Sequence, residues 1–405
     1  MRKITITAVE VLAVQGPVPD GTPGFRQGQA KLIHAYAEHR PGSDRVRSQP
    51  GPESGPRQRE ALYLRVGTDS DVEGFYGPID REAAWPIVDM LAGFLVGQDA
   101  LAGTIVWDKL YRLDRHARHG HLKMAVSAVD NCLWDLRGKA FDAPVHQLLG
   151  GPSRERIPAY ASTLGTSHDP ADVQSVAEGL VKEGYAAQKW FLAHGPGEGA
   201  DGLARNVELA GRVRAAVGSG TRLMFDAFMG WDLAHARDWA RQVEGLDPSW
   251  LEEPFSPTQY PAFVELHRAT RVPLAAGEHL YDRADVLPYL RDGTLTALQC
   301  DPEWCGGVTE LVRITALAES FGVPVIPHGH GVHAALHVVA SQSPATCPMV
   351  EYLFLAMPGR YQFEKNPPAP EGGSVAVPTA PGFGIELDPA RVASTYLWTG
   401  AAQQA

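Results

Sequence analysis

Cysteine is scarce: four residues in 405, at Cys132, Cys300, Cys305 and Cys347, with no C-x-x-C pair among them. That spacing speaks against a zinc knuckle or a disulfide framework and fits a reducing, cytoplasmic setting. Long apolar runs are missing too, since no stretch approaches the ~20 residues that span a bilayer. The opening MRKITITAVEVLAV carries Arg2 and Lys3, but Thr5, Thr7 and Glu10 interrupt Ile4, Ile6 and Val9, as in a strand and unlike a signal peptide. Excess positive charge is also lacking: 36 Lys+Arg face 47 Asp+Glu, a net charge of −11. Bulk charge therefore speaks against a nucleic-acid or anionic-membrane partner. With 44% hydrophobic and 20% charged residues the chain is neither disordered nor fibrous. Its length suits two domains or one large barrel with an addition, at about 150 residues per domain.

The first sixty residues join strand-like pieces to a Gly-, Pro- and Arg-rich loop from Gly16 to Arg59. Loops of that length are commonly functional covers, and this one carries Arg26, His34, Arg40, Arg45, Arg47, Arg57 and Arg59. Between Asp80 and Gly151 the period becomes helical, with Ala125, Ala128, Val129, Cys132, Leu133 and Leu136 forming one stripe and Gly150-Gly151 closing the region. Beyond it, apolar runs alternate with helix-like segments: 157–162, 185–191, 222–227, 249–253, 273–278, 297–301, 324–328 and 349–353. Eight β/α units in about 200 residues match a barrel, whose chemistry sits at the C-terminal ends of its strands.

Those ends carry Lys189, Asp226, Glu252, Glu278, Asp301, His328 and Glu351. A single acid after a strand is often only a helix N-cap. Asp226, Glu252 and Glu278, however, follow one another at intervals of 26 residues, one β/α unit per step, which sets three carboxylates side by side on one rim. A hard divalent cation relieves their repulsion, and an all-oxygen set without Cys or His suits Mg²⁺ better than zinc. Three carboxylates and one Mg²⁺ sum to −1, so an anionic substrate needs the further positive charge that Lys189 supplies. Asp301 and His328 end neighbouring strands, where the carboxylate can orient the imidazole as an acid–base dyad. His330 and His333 follow in a Gly-rich turn and His337 in the next helix, and structural roles are expected for all three. His194 and His279 stand open between supporting and substrate-facing roles.

These residues resemble the enolase superfamily, and within it the mandelate racemase group, over nearly the whole chain. The carriers are AVSAVDNCLWDLRGKAFDAPVHQLLGG (125–151), the FDA, LEEP and GEH series around Asp226, Glu252 and Glu278, then CDPEWCGGVTE, PHGHG and VEYL. The resemblance implies an α/β fold: a modified TIM barrel of (β/α)7β topology with an N-terminal α+β capping domain. The corresponding division is 1–151 for the cap, 152–355 for the barrel and 356–405 for a C-terminal segment returning to the cap. It implies that Asp226, Glu252 and Glu278 ligate Mg²⁺, with Glu253 the alternative in LEEP. It also implies that Asp301 and His328 form the group's dyad and that Glu351 contacts the substrate carboxylate or its enediolate. A small carboxylate substrate and a homo-oligomer, from dimer to octamer, go with it.

One departure matters: the group's second strand usually ends Lys-x-Lys, whereas here Lys189 is followed by Trp190 and Phe191 and preceded by Ala187 and Gln188. One lysine is missing, which disfavours two-base racemisation, and Asp301 on the sixth strand disfavours a cycloisomerase. The remaining reading is dehydration of an acid sugar, with PHG, GEH and KWF..HGP most similar to the rhamnonate dehydratase subgroup. In that reading His328 removes the C2 proton and returns a proton to the departing 3-hydroxyl, leaving a 2-keto-3-deoxy acid. The rivals are an epimerase of an α-substituted carboxylate, with Lys189 opposite His328, and a catalytically silent sugar-acid binder. The Gly16 to Arg59 loop is expected to set selectivity, with Arg45 and Arg59 as its candidates.

Overall fold

The computed structural model describes residues 3–19, 28–40 and 58–400. Arg26, Arg45, Arg47 and Arg57 of the predicted cover loop lie outside the described residues. Strands β1 (Ile6–Pro17), β2 (Gln58–Thr68) and β3 (Gly74–Ile79) form an antiparallel sheet with the chain's last strand, β13 (Ser394–Leu397), in the order β13-β1-β2-β3. Helix α1 (Gly103–Leu113) is followed by the long α2 (Gly120–Ala140), in which the predicted stripe of Ala125, Ala128, Val129, Cys132, Leu133 and Leu136 is wholly buried.

A second sheet carries the parallel strands β4 (Arg156–Ser162), β5 (Ala187–Phe191), β6 (Arg222–Asp226), β7 (Trp250–Glu252), β8 (Leu274–Ala276) and β9 (Ala297–Leu298) in sequence order. Strand β10 (Val350–Leu353) returns to pair with β4 in parallel, and the short hairpin of β11 (Pro370–Glu371) and β12 (Ser374–Ala376) docks antiparallel on β4. Seven of the eight predicted runs are strands. The exception is 324–328, which makes only one bridge, Leu298 to Val325. Pro324 and Pro327 supply no N–H, so the donors of this run to neighbouring backbone are Val325, to Thr346 O at 2.8 Å, Ile326, to Leu298 O at 2.8 Å, and His328, to Gln299 O at 3.3 Å. Each of the eight runs nevertheless sends one side chain inward, and Tyr160, Ala187, Met224, Trp250, Ala275, Ala297, Ile326 and Met349 pack as one cluster beneath the strand ends.

The cap is tied to the barrel where the sixth run leaves its strand. Helix α3 (Gly307–Glu319) begins there, and its first N–H groups, left without intrahelical partners, are satisfied from α2. Asp130 accepts from Thr309 N (2.8 Å) and Thr309 Oγ1 (2.7 Å), and Asn131 accepts from Val308 N (2.9 Å) while donating to Pro302 O (3.1 Å). Gly306 and Gly307 have φ of 113° and 81°, and a Cβ on Gly307 would lie 2.4 Å from Asp130 Oδ2. Glycine is required on both counts. The cap helix thus fixes the 301–306 turn that presents Asp301. Segment 28–40 reaches the barrel as well: Ala30 N donates to Leu192 O at 2.9 Å, and the Arg40 guanidinium packs on Gly197 in the loop after β5. Arg59, on β2, packs against Gly359 beyond β10.

Candidate active site

Lys189 is fully buried, and its ammonium holds three carboxylates: Glu252 Oε1 at 2.5 Å, Glu351 Oε1 at 2.8 Å and Asp226 Oδ2 at 3.3 Å. Burial works against the charged amine, but Glu252 and Glu351 outweigh it and hold Lys189 well above the usual lysine range. Asp226 and Glu252 are register partners on β6 and β7. The other oxygen of Glu252 accepts from Trp250 Nε1 (2.9 Å) and Gln299 Nε2 (2.6 Å), so the inward layer beneath the site also anchors it.

His328 stands on the other side. Its Nδ1 lies 2.8 Å from Asp301 Oδ2, and its Nε2 lies 3.0 Å from Glu278 Oε2. Burial depresses the imidazole, but the Glu278 carboxylate and the Asp301 bond reverse this and raise it well above the ordinary histidine range. The seven strand-end residues singled out from sequence therefore form two contact sets, Asp226, Glu252 and Glu351 around Lys189, and Glu278 and Asp301 around His328.

The crowding of acids has a measurable consequence. Burial raises Asp226 to about 6, with Glu278 adding to the rise against the pull of Lys189. Burial likewise lifts Glu252 to about 8, opposed by Lys189 and reinforced by Asp226. Two buried carboxyls resist ionisation next to a third, and all offer oxygen alone. A hard divalent cation fits such a set, because it makes ionisation of each acid favourable. Glu253 offers a competing arrangement: it has φ of 34°, its Oε2 lies 2.7 Å from His279 Nδ1, and the donor atoms of Glu253, Glu278 and His279 all lie within 4.8 Å of one another. Burial lowers His279, but Glu253 prevails and raises it to about 9.

Of the other histidines, His194 turns to Glu198 (2.7 Å) in its own loop, His333 to Glu364 (2.9 Å), and His337 Nδ1 accepts from His146 N (3.1 Å). Sequence reasoning missed Gln299, Trp250 and Trp304. The Trp304 ring packs against His328, His330 and His279 at centroid distances of 5.0, 4.9 and 5.7 Å, forming a wall of the site. The only signal for it was its place in CDPEWCGG, directly after a barrel strand.

Comparison with known proteins agrees with this architecture. Residues 62–150 match the mandelate racemase / muconate lactonizing enzyme N-terminal domain, and residues 172–391 match the enolase C-terminal domain-like family. An L-rhamnonate dehydratase of Saccharopolyspora erythraea is 34% identical over 317 residues, covering 76% of this chain and 77% of that protein. The crystal structure of a rhamnonate dehydratase from Gibberella zeae complexed with Mg superposes with a TM-score of 0.80 at 25% identity, covering 96% of each chain. The 3,6-anhydro-D-galactonate cycloisomerase of Zobellia galactanivorans shares the fold at a TM-score of 0.75 and 25% identity, over 96% of this chain and 100% of its own. The chain belongs to the mandelate racemase / muconate lactonizing enzyme family of the enolase superfamily.

Proposed function

We propose that this enzyme is a Mg²⁺-dependent hydro-lyase that dehydrates an acid sugar, an L-rhamnonate-like aldonate, to its 2-keto-3-deoxy acid. The observation that carries the reading is the division of the site: a buried lysine among carboxylates on one side, a His–Asp dyad on the other. Asp226, Glu252 and Glu278 are assigned to hold the cation, which when bound polarises the substrate carboxylate and makes the C2 proton acidic. Lys189 supplies fixed positive charge where negative charge develops on the substrate, a large catalytic contribution in a dry site. Glu351, held by Lys189 at 2.8 Å, is assigned to contact the substrate carboxylate or its enediolate. With Glu278 drawn to the cation, the carboxylate that holds His328 Nε2 in its charged form would be withdrawn, and the imidazole, oriented by Asp301, would take the C2 proton at Nε2.

The enclosure of Lys189 disfavours the epimerase alternative, because an ammonium bonded to three acids has no free pair for a second base. The complete dyad disfavours the silent binder. In this reading the cap comprises 1–151, the barrel 152–355 and the returning segment 356–405. A cytoplasmic location is inferred from four unpaired, buried cysteines, and the described residues include no helix long and apolar enough to cross a membrane. Assembly into a homo-oligomer is inferred from the family resemblance alone.

The test is proton NMR of the protein with Mg²⁺ in D2O against a panel of aldonates and aldarates. New C3 methylene signals are expected with one or two sugars. Exchange at C2 with scrambled configuration and no methylene would establish the epimerase, and silence across the panel would contradict the reading. Glu252→Gln and Glu253→Gln separate the two ligand sets: the first is expected to weaken Mg²⁺ binding at least tenfold, the second far less.

A further inference from the structure

The Asp301 carboxylate can orient His328 only if its own plane is fixed, and the backbone bonds that fix it come from two different loops. Glu303 N donates to Asp301 Oδ1 at 2.6 Å. His330 N donates to Oδ2 at 3.2 Å, the same oxygen that holds His328 Nδ1 at 2.8 Å. A carboxylate bonded at one oxygen turns easily about its Cβ–Cγ bond, whereas one bonded at both oxygens keeps its plane.

The side chains of both donors are tied to the end of one cap strand. The Tyr76 hydroxyl, on β3, donates to Glu303 Oε1, and Asp80, directly after β3, holds His330 Nε2 at 2.8 Å. Burial pushes the Tyr76 phenol well above its ordinary value, with Glu303 adding to the rise, so it keeps its proton and remains the donor. Tyr76 is itself set by pairing with Leu64 of β2 and by the packing of its ring on Phe383 at 5.1 Å. Asp80 occupies the N-cap position of the helix Arg81–Pro86, where an aspartate ordinarily bonds the first amides, yet its side chain makes no capping bond. It turns to His330 instead, and Arg360, 3.6 Å away and donating to Pro78 O at 2.7 Å, steadies it there. The two loops also interlock, since a Cβ on Gly331 would lie 2.6 Å from Glu303 Oε1.

We propose that Tyr76 and Asp80 are positioning residues for the His–Asp dyad, the end of the cap strand aiming the Asp301 carboxylate through the Glu303 and His330 amides. This rests on the dehydratase reading and deepens it. The bonds from α2 hold the backbone of the 301–306 turn, whereas those from β3 and Asp80 hold the carboxylate that the turn carries. The dyad is then a joint product of the two parts of the chain, its groups supplied by the barrel and its orientation by the cap. Loss of the Tyr76 hydroxyl releases the Glu303 side chain and lets its amide drift from Oδ1. Loss of the Asp80 charge does the same for the His330 amide and Oδ2. His328 Nδ1 then meets a carboxylate that turns, and its Nε2 is aligned for proton removal less of the time. Lys189 and the acids around it stand outside this chain of bonds, so binding of substrate and cation is left in place.

The test is Tyr76→Phe and Asp80→Asn, each made in the wild type and in Asp301→Asn, with C2 exchange in D2O and dehydration followed by NMR on a sugar acid that the wild type dehydrates. In the wild-type background each is expected to slow exchange and dehydration together, kcat falling on the order of tenfold while KM and Mg²⁺ affinity stay within about threefold. In the Asp301→Asn background the same substitutions should cost less than about twofold, because the carboxylate that the tethers aim is gone. A role in stability alone would lower the rate by the same factor in both backgrounds, and that result would overturn the assignment. Wild-type rates in both single variants, or a loss confined to KM, would overturn it too. If Tyr76→Phe does not fold, Asp80→Asn carries the comparison by itself. If instead the wild type neither exchanges nor dehydrates any acid sugar, it is the dehydratase reading that fails.

Discussion

The two sides of the barrel mouth are built from the same kinds of residue to opposite ends. On the Lys189 side, every charged group is buried and bonded: Lys189 meets Glu252, Glu351 and Asp226, and Glu252 takes two further hydrogen bonds from Trp250 and Gln299. On the His328 side, imidazoles keep partial exposure and turn ring nitrogens to carboxylates, His328 to Asp301 and Glu278, His330 to Asp80 and His279 to Glu253. The first side fixes charge, and its cost of burial is met by pairing. The second keeps groups that can exchange protons with something entering from the mouth.

The largest expected effect comes from breaking the locked side. Lys189→Met strands three buried carboxylates, and removing one partner of a buried ion pair costs about 3–5 kcal/mol. Urea unfolding with Mg²⁺ absent should show a loss of that order, and a change under 1 kcal/mol would mean the lysine is not what holds the acids. On the open side, Asp301→Asn should leave stability nearly intact while lowering turnover on the order of 10²–10⁴-fold with Mg²⁺ affinity preserved, as measured by steady-state kinetics and calorimetry. Unchanged kinetics would remove Asp301 from the chemistry.

A third experiment sharpens the contrast through the cation. Because Asp226 and Glu252 are raised to about 6 and about 8, ligation must expel protons from them, so Mg²⁺ affinity should fall as pH drops through 8 and then 6. Calorimetry at pH 7 in buffers of different ionisation enthalpy should find proton release, and none would show that both acids were already ionised. The smallest effect concerns His168, in the loop between β4 and β5, which burial lowers from the usual 6.5 to about 4. Its unfolded form binds the proton first, so this group's contribution to stability is full above pH 6.5 and is lost as pH falls towards 4. The loss is about 1–3 kcal/mol. His168→Gln should flatten the acid limb of the stability–pH curve, and an unchanged limb would assign it elsewhere.

Much of the site could be read from the chain because parallel β/α units repeat. The 26-residue steps joining Asp226, Glu252 and Glu278 put one acid at or just past the end of each successive strand, and β6 and β7 indeed pair Asp226 with Glu252. The helical stripe of α2 was legible for the same reason, a single periodic element with one buried face. Where periodicity stopped, so did legibility. Pro324 and Pro327 reduce the seventh run to one bridge. The choice between Glu252 and Glu253 depends on a backbone with φ of 34° at Glu253, which no pattern announces. The contact of His330 with Asp80 could not be read from the chain, because the two lie 250 residues apart and Asp80 belongs to the cap. Gln299 and Trp250 act from the layer beneath the strand ends and look, in sequence, like any inward residue.

The central claim is that the imidazole side moves protons and the lysine side does not. The most direct measurement is C2 hydrogen–deuterium exchange by NMR in D2O for His328→Asn at saturating Mg²⁺, alongside its Mg²⁺ affinity. Exchange is expected to disappear while the cation still binds within about threefold of the wild type, since His328 is assigned to the proton and not to the ion. Exchange retained in that variant would contradict it, and would move the base to another residue of the mouth.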